Sequence, residues 1–456
     1  MNWTRASALT SLNGTRTRNA RLPYFMKISP ARIATFEILS KIENEKAFSS
    51  ELLPIYENGL NVNDRSLCHQ LTLGVLRKKL LLDWMIDHFA GGKRIDVAVR
   101  ISLGMGIYQL LFLDKIPDYS AINDSVNLIQ YAKKTSAKGF VNALLRRATR
   151  EKVIPNFVDE IEKISIETSH PRWLLEKWIE QFGFADTVRL ASANNEIPRS
   201  AFRLTSRSDT SRNFDHTSPS NHVKGCFIAE SNTPQLLAAA DAGEIYFQDE
   251  GSQMVAAAVE LSDEGRFLDL CAAPGSKFTQ IAGRAGSESK LFVAGDLHSH
   301  RVRFLRENCK NQGVDNVSIL QYDAELALPF AEESFDSILI DAPCSGTGTI
   351  RHNPELRYSL EPDDFAELAE KQLRLLQNAS KLLKRGGNLI YSTCSLESEE
   401  NEQVCKAFFS NDAAFRKTKP NVPDRFVDED GFARTMPNRD NMDGFFIAAF
   451  EKVKPS

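Results

Sequence analysis

The 456 residues are 42% hydrophobic and 25% charged, a composition for two or three globular domains rather than one core, with no apolar run of about 18 residues to cross a membrane. The net charge of −4 is unevenly placed: residues 1–150 hold 22 Lys/Arg against 12 Asp/Glu, or +10, and the remainder 34 against 48, or −14. Seven scattered cysteines without a Cys-x-x-Cys pair argue against a disulfide framework and a zinc site, and for a reducing, cytoplasmic compartment.

Residues 1–25 carry Arg5, Arg16, Arg18 and Arg21 and no acid, in a Ser/Thr/Asn-rich stretch without an apolar segment. A secretory signal is not expected. The stretch reads as a disordered N-terminal extension, with Met26 just ahead of the first periodic segment. Over residues 26–155 the apolar spacing is helical. Ile33, Phe36, Ile38 and Leu39, then Leu67, Leu71, Val75 and Leu76, recur at three and four residues. Helices are predicted next over Leu80–Phe89 and Val97–Leu113. Another begins near Asp118, with Ser120 a good N-cap ahead of Asn123 and Asp124, and the last ends in Phe140-Val-Asn-Ala-Leu-Leu-Arg-Arg-Ala. This is an all-α bundle whose positive charge points to a polyanion.

Residues 156–248 are mixed. Ser169-His-Pro-Arg-Trp-Leu-Leu is followed by Phe202-Arg-Leu, a short strand candidate, and by a polar loop over 206–222. Together they read as a small α+β linking subdomain. Residues 249–456 then alternate short apolar strands with helical patterns. The strands are Phe267–Leu270, Leu291–Gly295, Val317–Leu320, Ser337–Ile340 and Asn388–Ser392, and the helices lie near 275–284, 298–311, 362–384 and 397–409. That alternation predicts an α/β Rossmann-like domain with a parallel, doubly wound sheet.

Ligands of such sheets bind at the carboxyl ends of the strands. The first strand runs from Asp269 through Cys271, Ala272, Ala273, Pro274, Gly275, Ser276 and Lys277 straight into a helix. Small residues there let backbone approach a ligand, and the helix N-terminus favours a carboxylate or another anion. Asp296 ends the second strand, placed to accept two ribose hydroxyls, and Asp323 follows the third, a position suited to an adenine edge. The alternative for both acids is to cap the helices that follow. The fourth strand ends in Asp341-Ala-Pro-Cys344-Ser and the fifth in Ser392-Thr-Cys394-Ser. Two cysteines therefore leave neighbouring strands beside the glycine loop, where a thiolate can act as a nucleophile. Cys68, Cys226, Cys309 and Cys405 read as small buried hydrophobes.

The strings Asp-x-Cys-Ala-Ala-Pro-Gly, Asp-Ala-Pro-Cys-Ser and Ser-Thr-Cys-Ser with Glu399-Glu400-Asn401, and the late Asp443-Gly444-Phe445-Phe446, resemble the NOL1/NOP2/Sun family of RNA cytosine-C5 methyltransferases. The helical third, with Asn63-Asp64-Arg65 and Phe140-Val-Asn-Ala-Leu-Leu-Arg, resembles the NusB RNA-binding domain. Their combination is similar to bacterial 16S ribosomal RNA cytosine-C5 methyltransferases, from about Ile28 to Glu451. The resemblance implies that Cys271 to Lys277, Asp296, Asp323 and Asp341 bind S-adenosylmethionine. It further implies that Cys394 is the nucleophile and that Cys344 helps release product, without a metal. Ser276 replaces the family's usual second glycine, and Phe278 stands where Thr is common.

C5 of cytosine is too weak a nucleophile to take a methyl group unaided. Addition of a thiolate at C6 pushes electrons onto C5, and Asp341 is placed to bond the ring at N3. The base must be unstacked for this. The expected partner is RNA, most naturally 16S rRNA, and not DNA or a membrane, with the protein acting as a monomer. Another RNA such as tRNA, or a non-catalytic NusB-type assembly role, is the alternative. The second cysteine and the intact Asp269–Lys277 loop favour an enzyme.

Overall fold

The computed structural model describes residues 28–151, 153, 156–209, 213–262, 265–284 and 291–453; the extension over residues 1–25 lies outside them. The helical part comprises α1 (Pro30–Glu45), α2 (Ser49–Glu57), α3 (Val62–Arg77), α4 (Lys79–Ala90), α5 (Val97–Phe112), α6 (Asp118–Tyr131) and α7 (Lys138–Ala148). The Ser29, Asn61 and Asp96 side chains accept backbone N–H groups at the starts of α1, α3 and α5, supplying partners that helix starts otherwise lack. Apolar α5 runs through the core, with Leu103, Met105 and Ile107 fully buried among Leu71, Ile86, Leu128 and Val141. Ser120 is not the cap of α6. Pro117, at φ −65°, precedes the helix, and its carbonyl takes the Ser120 N–H at 2.9 Å. Proline's fixed φ starts the helix before the serine is reached.

Three further helices, α8 (Glu160–Thr168), α9 (Arg172–Phe182) and α10 (Phe184–Ala193), belong to this same compact unit, which extends to Asn195 and also takes in Ile350–Leu360. Hydrogen bonds hold that returning segment. The buried Arg357 guanidinium donates to the Thr168 and Ser169 carbonyls at 3.1 and 3.3 Å. The Tyr358 hydroxyl donates to the Leu76 and Ser169 carbonyls, both at 2.9 Å, and the Glu355 carboxylate accepts from the Ser49 N–H at 2.7 Å. Residues 156–248, read as one linking subdomain, are thus divided between two units.

The second unit comprises Glu196–Thr349 and Glu361–Ser456. Strands β1 (Ser200–Leu204), β2 (Thr217–Pro219), β3 (Cys226–Ala229) and β4 (Ile245–Phe247) form an antiparallel sheet in the order β2-β3-β1-β4, with α11 (Pro234–Asp241) beside it. After α12 (Glu250–Ala258) comes the large sheet. Its parallel strands are β5 (Arg266–Asp269), β6 (Leu291–Asp296), β7 (Ser318–Gln321), β8 (Phe335–Asp341) and β9 (Leu383–Thr393), with α13 (Ser276–Gly283), α14 (Ser299–Asn311) and α16 (Asp364–Leu382) between them, while α15 (Leu356–Ser359) lies in the segment that returns to the first unit. Then follow α17 (Glu402–Asn411), β10 (Phe415–Thr418), β11 (Ala433–Arg434), α18 (Pro437–Asp440) and β12 (Phe446–Lys452), the last antiparallel to β9.

The strand order is β10-β12-β9-β8-β5-β6-β7. Alternate residues face opposite cores: Phe267, Leu339 and Ile390 one, Leu268, Ile338, Ile340, Leu389 and Tyr391 the other. Burial on both faces explains the near-continuous apolar runs in the sequence. The order reverses between β5 and β8, and the crevice at such a reversal is where doubly wound sheets bind ligands. Among the described residues no helix is long and apolar enough to cross a membrane.

Candidate active site

The loop from β5 into α13 turns at Gly275, whose φ of +105° lies in the left-handed region that a side chain disfavours. Its carbonyls are pinned from outside. Arg301 donates to the Ala273 carbonyl at 2.6 Å, Asn308 to that of Pro274 at 2.8 Å, and Arg203 on β1 to that of Ser276 at 3.0 Å. Phe278 packs into the core, its ring stacked on Phe267 at 6.3 Å between centroids.

Around this loop sit buried acids. Asp269 is 1% exposed, and among the described residues its Oδ1 has no hydrogen-bond partner. Burial first, then the neighbouring Asp341, pushes its carboxyl well above the usual range. Asp296 is likewise buried, its Oδ2 without a hydrogen bond and 3.3 Å from an Arg301 nitrogen. Burial, helped by Asp296 and Asp269, also raises the Cys271 thiol, which disfavours its thiolate form. Asp323 is half-buried beyond β7, and its Oδ1 accepts the Glu325 N–H at 2.9 Å, a turn-capping bond.

The next strand ends carry the thiols. The Ala342 N–H donates to the Ser392 carbonyl at 2.8 Å, keeping the β8 and β9 exits in register, and Cys344 Sγ lies 3.2 Å from Cys394 Sγ. Asp341 accepts from Lys277 Nζ and from Ser392 Oγ, both at 2.8 Å. The Lys277 ammonium also lies 4.8 Å from the centre of the Phe445 ring. Burial disfavours its charge, but Asp341 outweighs burial and holds its pKa above the ordinary value; Cys394 is within electrostatic reach of it. The contact with Cys394, then burial, pushes the Cys344 thiol well up.

The Asp443-Gly444-Phe445 turn closes the site from the C-terminal side. The Gly348 N–H donates to the Cys394 carbonyl at 2.9 Å, and the Gly444 N–H to the Gly348 carbonyl at 2.8 Å. A Cβ on Gly348 would stand 2.1 Å from the Gly444 oxygen. Asn401 fixes the Cys394 turn, accepting from the Thr393 hydroxyl at 2.6 Å and donating to the Ser395 carbonyl at 2.9 Å. The structure therefore gathers Cys271 to Lys277, Asp296, Asp341, Cys344 and Cys394 at one sheet edge, with Asp323 engaged in its own turn. Arg203, Arg301, Ser392 and the residues under the two thiols went unassigned in the sequence. For Asn401 the signal was its place in the Glu-Glu-Asn string; nothing local marks Arg203.

Residues 256–451 match the family model described as 16S rRNA methyltransferase RsmB/F, and residues 29–150 match that of the NusB family. A Bacillus subtilis protein described as a probable ribosomal RNA small subunit methyltransferase B is 34% identical over 449 residues, covering 94% of this chain and 100% of its own. The chain belongs to the RsmB/F family of 16S rRNA methyltransferases. The crystal structure of PH0851 shares its fold at a TM-score of 0.79 and 25% identity, covering 94% of this chain and all of that one. A methyltransferase homolog protein from Pyrococcus horikoshii covers 65% of this chain and 100% of its own, at a TM-score of 0.55 and 25% identity. The RsmB/F match spans the large sheet and both thiols, and the NusB match spans α1 to α7.

Proposed function

We propose that the chain transfers a methyl group from S-adenosylmethionine to C5 of a cytidine in 16S rRNA, through a covalent bond between Cys394 and C6. The observation that carries this reading is the pair of thiols 3.2 Å apart at adjoining strand ends, beside a pinned glycine turn. Among the described residues Asp269 Oδ1 and Asp296 Oδ2 are buried acceptors without hydrogen bonds, which suits the hydroxyl and ammonium groups of such a donor. Asp323 is assigned to the adenine edge. Bound there, S-adenosylmethionine supplies an electrophilic methyl group.

The chain's own residues do the rest. The Cys394 thiolate adds to C6, the ring's electron pair moves to C5, and the new carbon–carbon bond forms there as the methyl–sulfur bond of the sulfonium breaks, its electron pair leaving with sulfur as a neutral thioether. Asp341, which Lys277 and Ser392 hold in place, is assigned to N3: in its protonated form it gives N3 that proton as charge arrives there, and as a carboxylate it then accepts the N3–H. Loss of the C5 proton to solvent re-forms the double bond as the C6–S bond breaks, Cys394 leaves as thiolate and N3 returns its proton to Asp341. Cys344, 3.2 Å away, is assigned the part of assisting that release. The positively charged α1–α7 bundle is assigned the RNA backbone, since phosphate contacts come from Lys and Arg.

The test is product identity. Purified protein, methyl-labelled S-adenosylmethionine and 16S rRNA should give label in 5-methylcytidine after nuclease digestion, with one bisulfite-resistant position. Label in any other nucleoside, or none in cytidine, would contradict the reading.

A further inference from the structure

Beneath the two thiols lies a carboxylate that takes no part in the chemistry described so far. Glu400 is fully buried. Its Oε1 accepts from the Ser345 N–H at 2.8 Å and from the Gln372 amide at 3.0 Å, and its Oε2 accepts from both the Ser345 and the Ser395 hydroxyls. Those hydroxyls are themselves 3.0 Å apart. Ser345 directly follows Cys344, and Ser395 directly follows Cys394. Gln372, on α16, also donates to the Pro343 carbonyl at 2.9 Å and accepts from the Tyr391 hydroxyl at 3.1 Å. Tyr391 in turn donates to the Glu400 carbonyl at 2.6 Å. One side chain thus joins the turn after β8 to the turn after β9, and both to α16.

Burying a carboxylate is costly unless its oxygens are satisfied. Burial does push the Glu400 carboxyl up, with the Ser345, Ser395 and Gln372 donors pulling the other way. Among the described residues its donors are neutral, and it joins no ion pair that would account for its presence. What it does have is the geometry of a clamp: two acceptor atoms, each engaging the residue beside a reacting thiol.

We propose that Glu400 is a positioning residue that sets the separation and orientation of Cys394 and Cys344 by bridging Ser345 and Ser395. This rests on the assignment of Cys394 and Cys344 above. The clamp matters because two thiols must serve one ring in sequence, adding at C6 and then assisting release. A displacement of about 1 Å in such an arrangement costs about 100-fold in rate.

The test compares full-length variants on 16S rRNA and on 5-azacytidine-containing RNA, which holds the adduct. Glu400→Ala should lower kcat about 100-fold while KM for RNA and S-adenosylmethionine affinity stay at their parent values. Glu400→Gln should recover most of kcat. Its carbonyl still serves the Ser345 N–H and Gln372, and its NH2 group can donate to the two hydroxyls, which rotate to accept. Should Glu400→Ala fail to fold, the serines carry the test separately. Ser395→Ala should slow appearance of the adduct, and Ser345→Ala should make a covalent complex accumulate on ordinary RNA. Parental kcat in Glu400→Ala, or parental rates in both serine variants, would overturn the clamp alone. A parent protein that forms no adduct would overturn the Cys394 assignment, and the clamp with it.

Discussion

Gly348→Ala probes the packing that holds Cys394 with a single methyl group. The added Cβ would stand 2.1 Å from the Gly444 oxygen, whereas ordinary contact begins at 3.4 Å, so the two turns must part by 1.3 Å (3.4 − 2.1). The obstacle is backbone on both sides, and no rotamer change relieves it. Because the Gly348 N–H is bonded to the Cys394 carbonyl at 2.9 Å, the displacement either breaks that bond or carries Cys394 with it. Overpacking of this kind costs about 1–3 kcal/mol of stability, and a shift of about 1 Å at the thiol costs about 100-fold in kcat. S-adenosylmethionine affinity should be unchanged, since the β5–α13 turn is not displaced. The assay is single-turnover methyl transfer, with calorimetric titration of the donor and a melting curve. Gly139→Ala is the control: exposed on α7 with nothing within 4 Å of its Cβ position, it should leave kcat alone. Parental kcat in folded Gly348→Ala, or an equal loss of donor affinity, would refute the reasoning.

Asp296→Ala removes a buried acceptor and should weaken S-adenosylmethionine binding by about 1.5–3 kcal/mol, roughly ten- to a hundredfold; unchanged affinity by calorimetry would move the ribose contact elsewhere. Cys344→Ala should leave addition intact and block release, giving a protein–RNA complex that survives denaturing gels, and normal turnover without such a species would remove Cys344 from the mechanism. His170, fully buried in the helical unit, has Nδ1 2.9 Å from the Thr168 carbonyl and Nε2 3.3 Å from the Asn194 amide. Burial, then Arg357, holds its pKa well below 6.5. The unfolded chain therefore takes up a proton near 6.5 that the folded one refuses, so stability present above that pH should be lost below it, by about 1.4 kcal/mol per pH unit. His170→Gln should flatten this acid slope in denaturant titrations; an unaltered slope would place the titration elsewhere.

The parallel strands were legible because both faces are buried, which writes apolar runs such as Ser337–Ile340 into the sequence. Two stretches were not: the edge strand β10 is Phe-Arg-Lys-Thr, with Arg416 and Lys417 exposed, and the start of β9, inside the sheet, reads Leu-Lys-Arg-Gly-Gly. Helix α2 carries Pro54 in its interior, a residue that normally argues against a helix. The site was legible wherever it sits at a strand end, since topology sends ligands there: hence Asp269, Asp296, Asp341, Cys344 and Cys394. Glu400 was seen only as part of a string. Glu397, Glu399, Glu400 and Glu402 lie within six residues, and nothing local tells which of them meets Ser345, 55 positions away. The same holds for Ile350–Leu360, where Arg357 finds its carbonyl partners 188 and 189 residues earlier. Such contacts are tertiary, and no periodicity records them.

The central claim is that Cys394 forms the bond to the base, and covalent trapping tests it most directly. The parent protein, S-adenosylmethionine and 5-azacytidine-containing 16S rRNA should give a complex stable to denaturation, with the modified peptide mapping to Cys394. Cys394→Ala, folded and binding the donor as before, should give none. A complex that persists in Cys394→Ala and disappears in Cys344→Ala would contradict the assignment and make Cys344 the nucleophile.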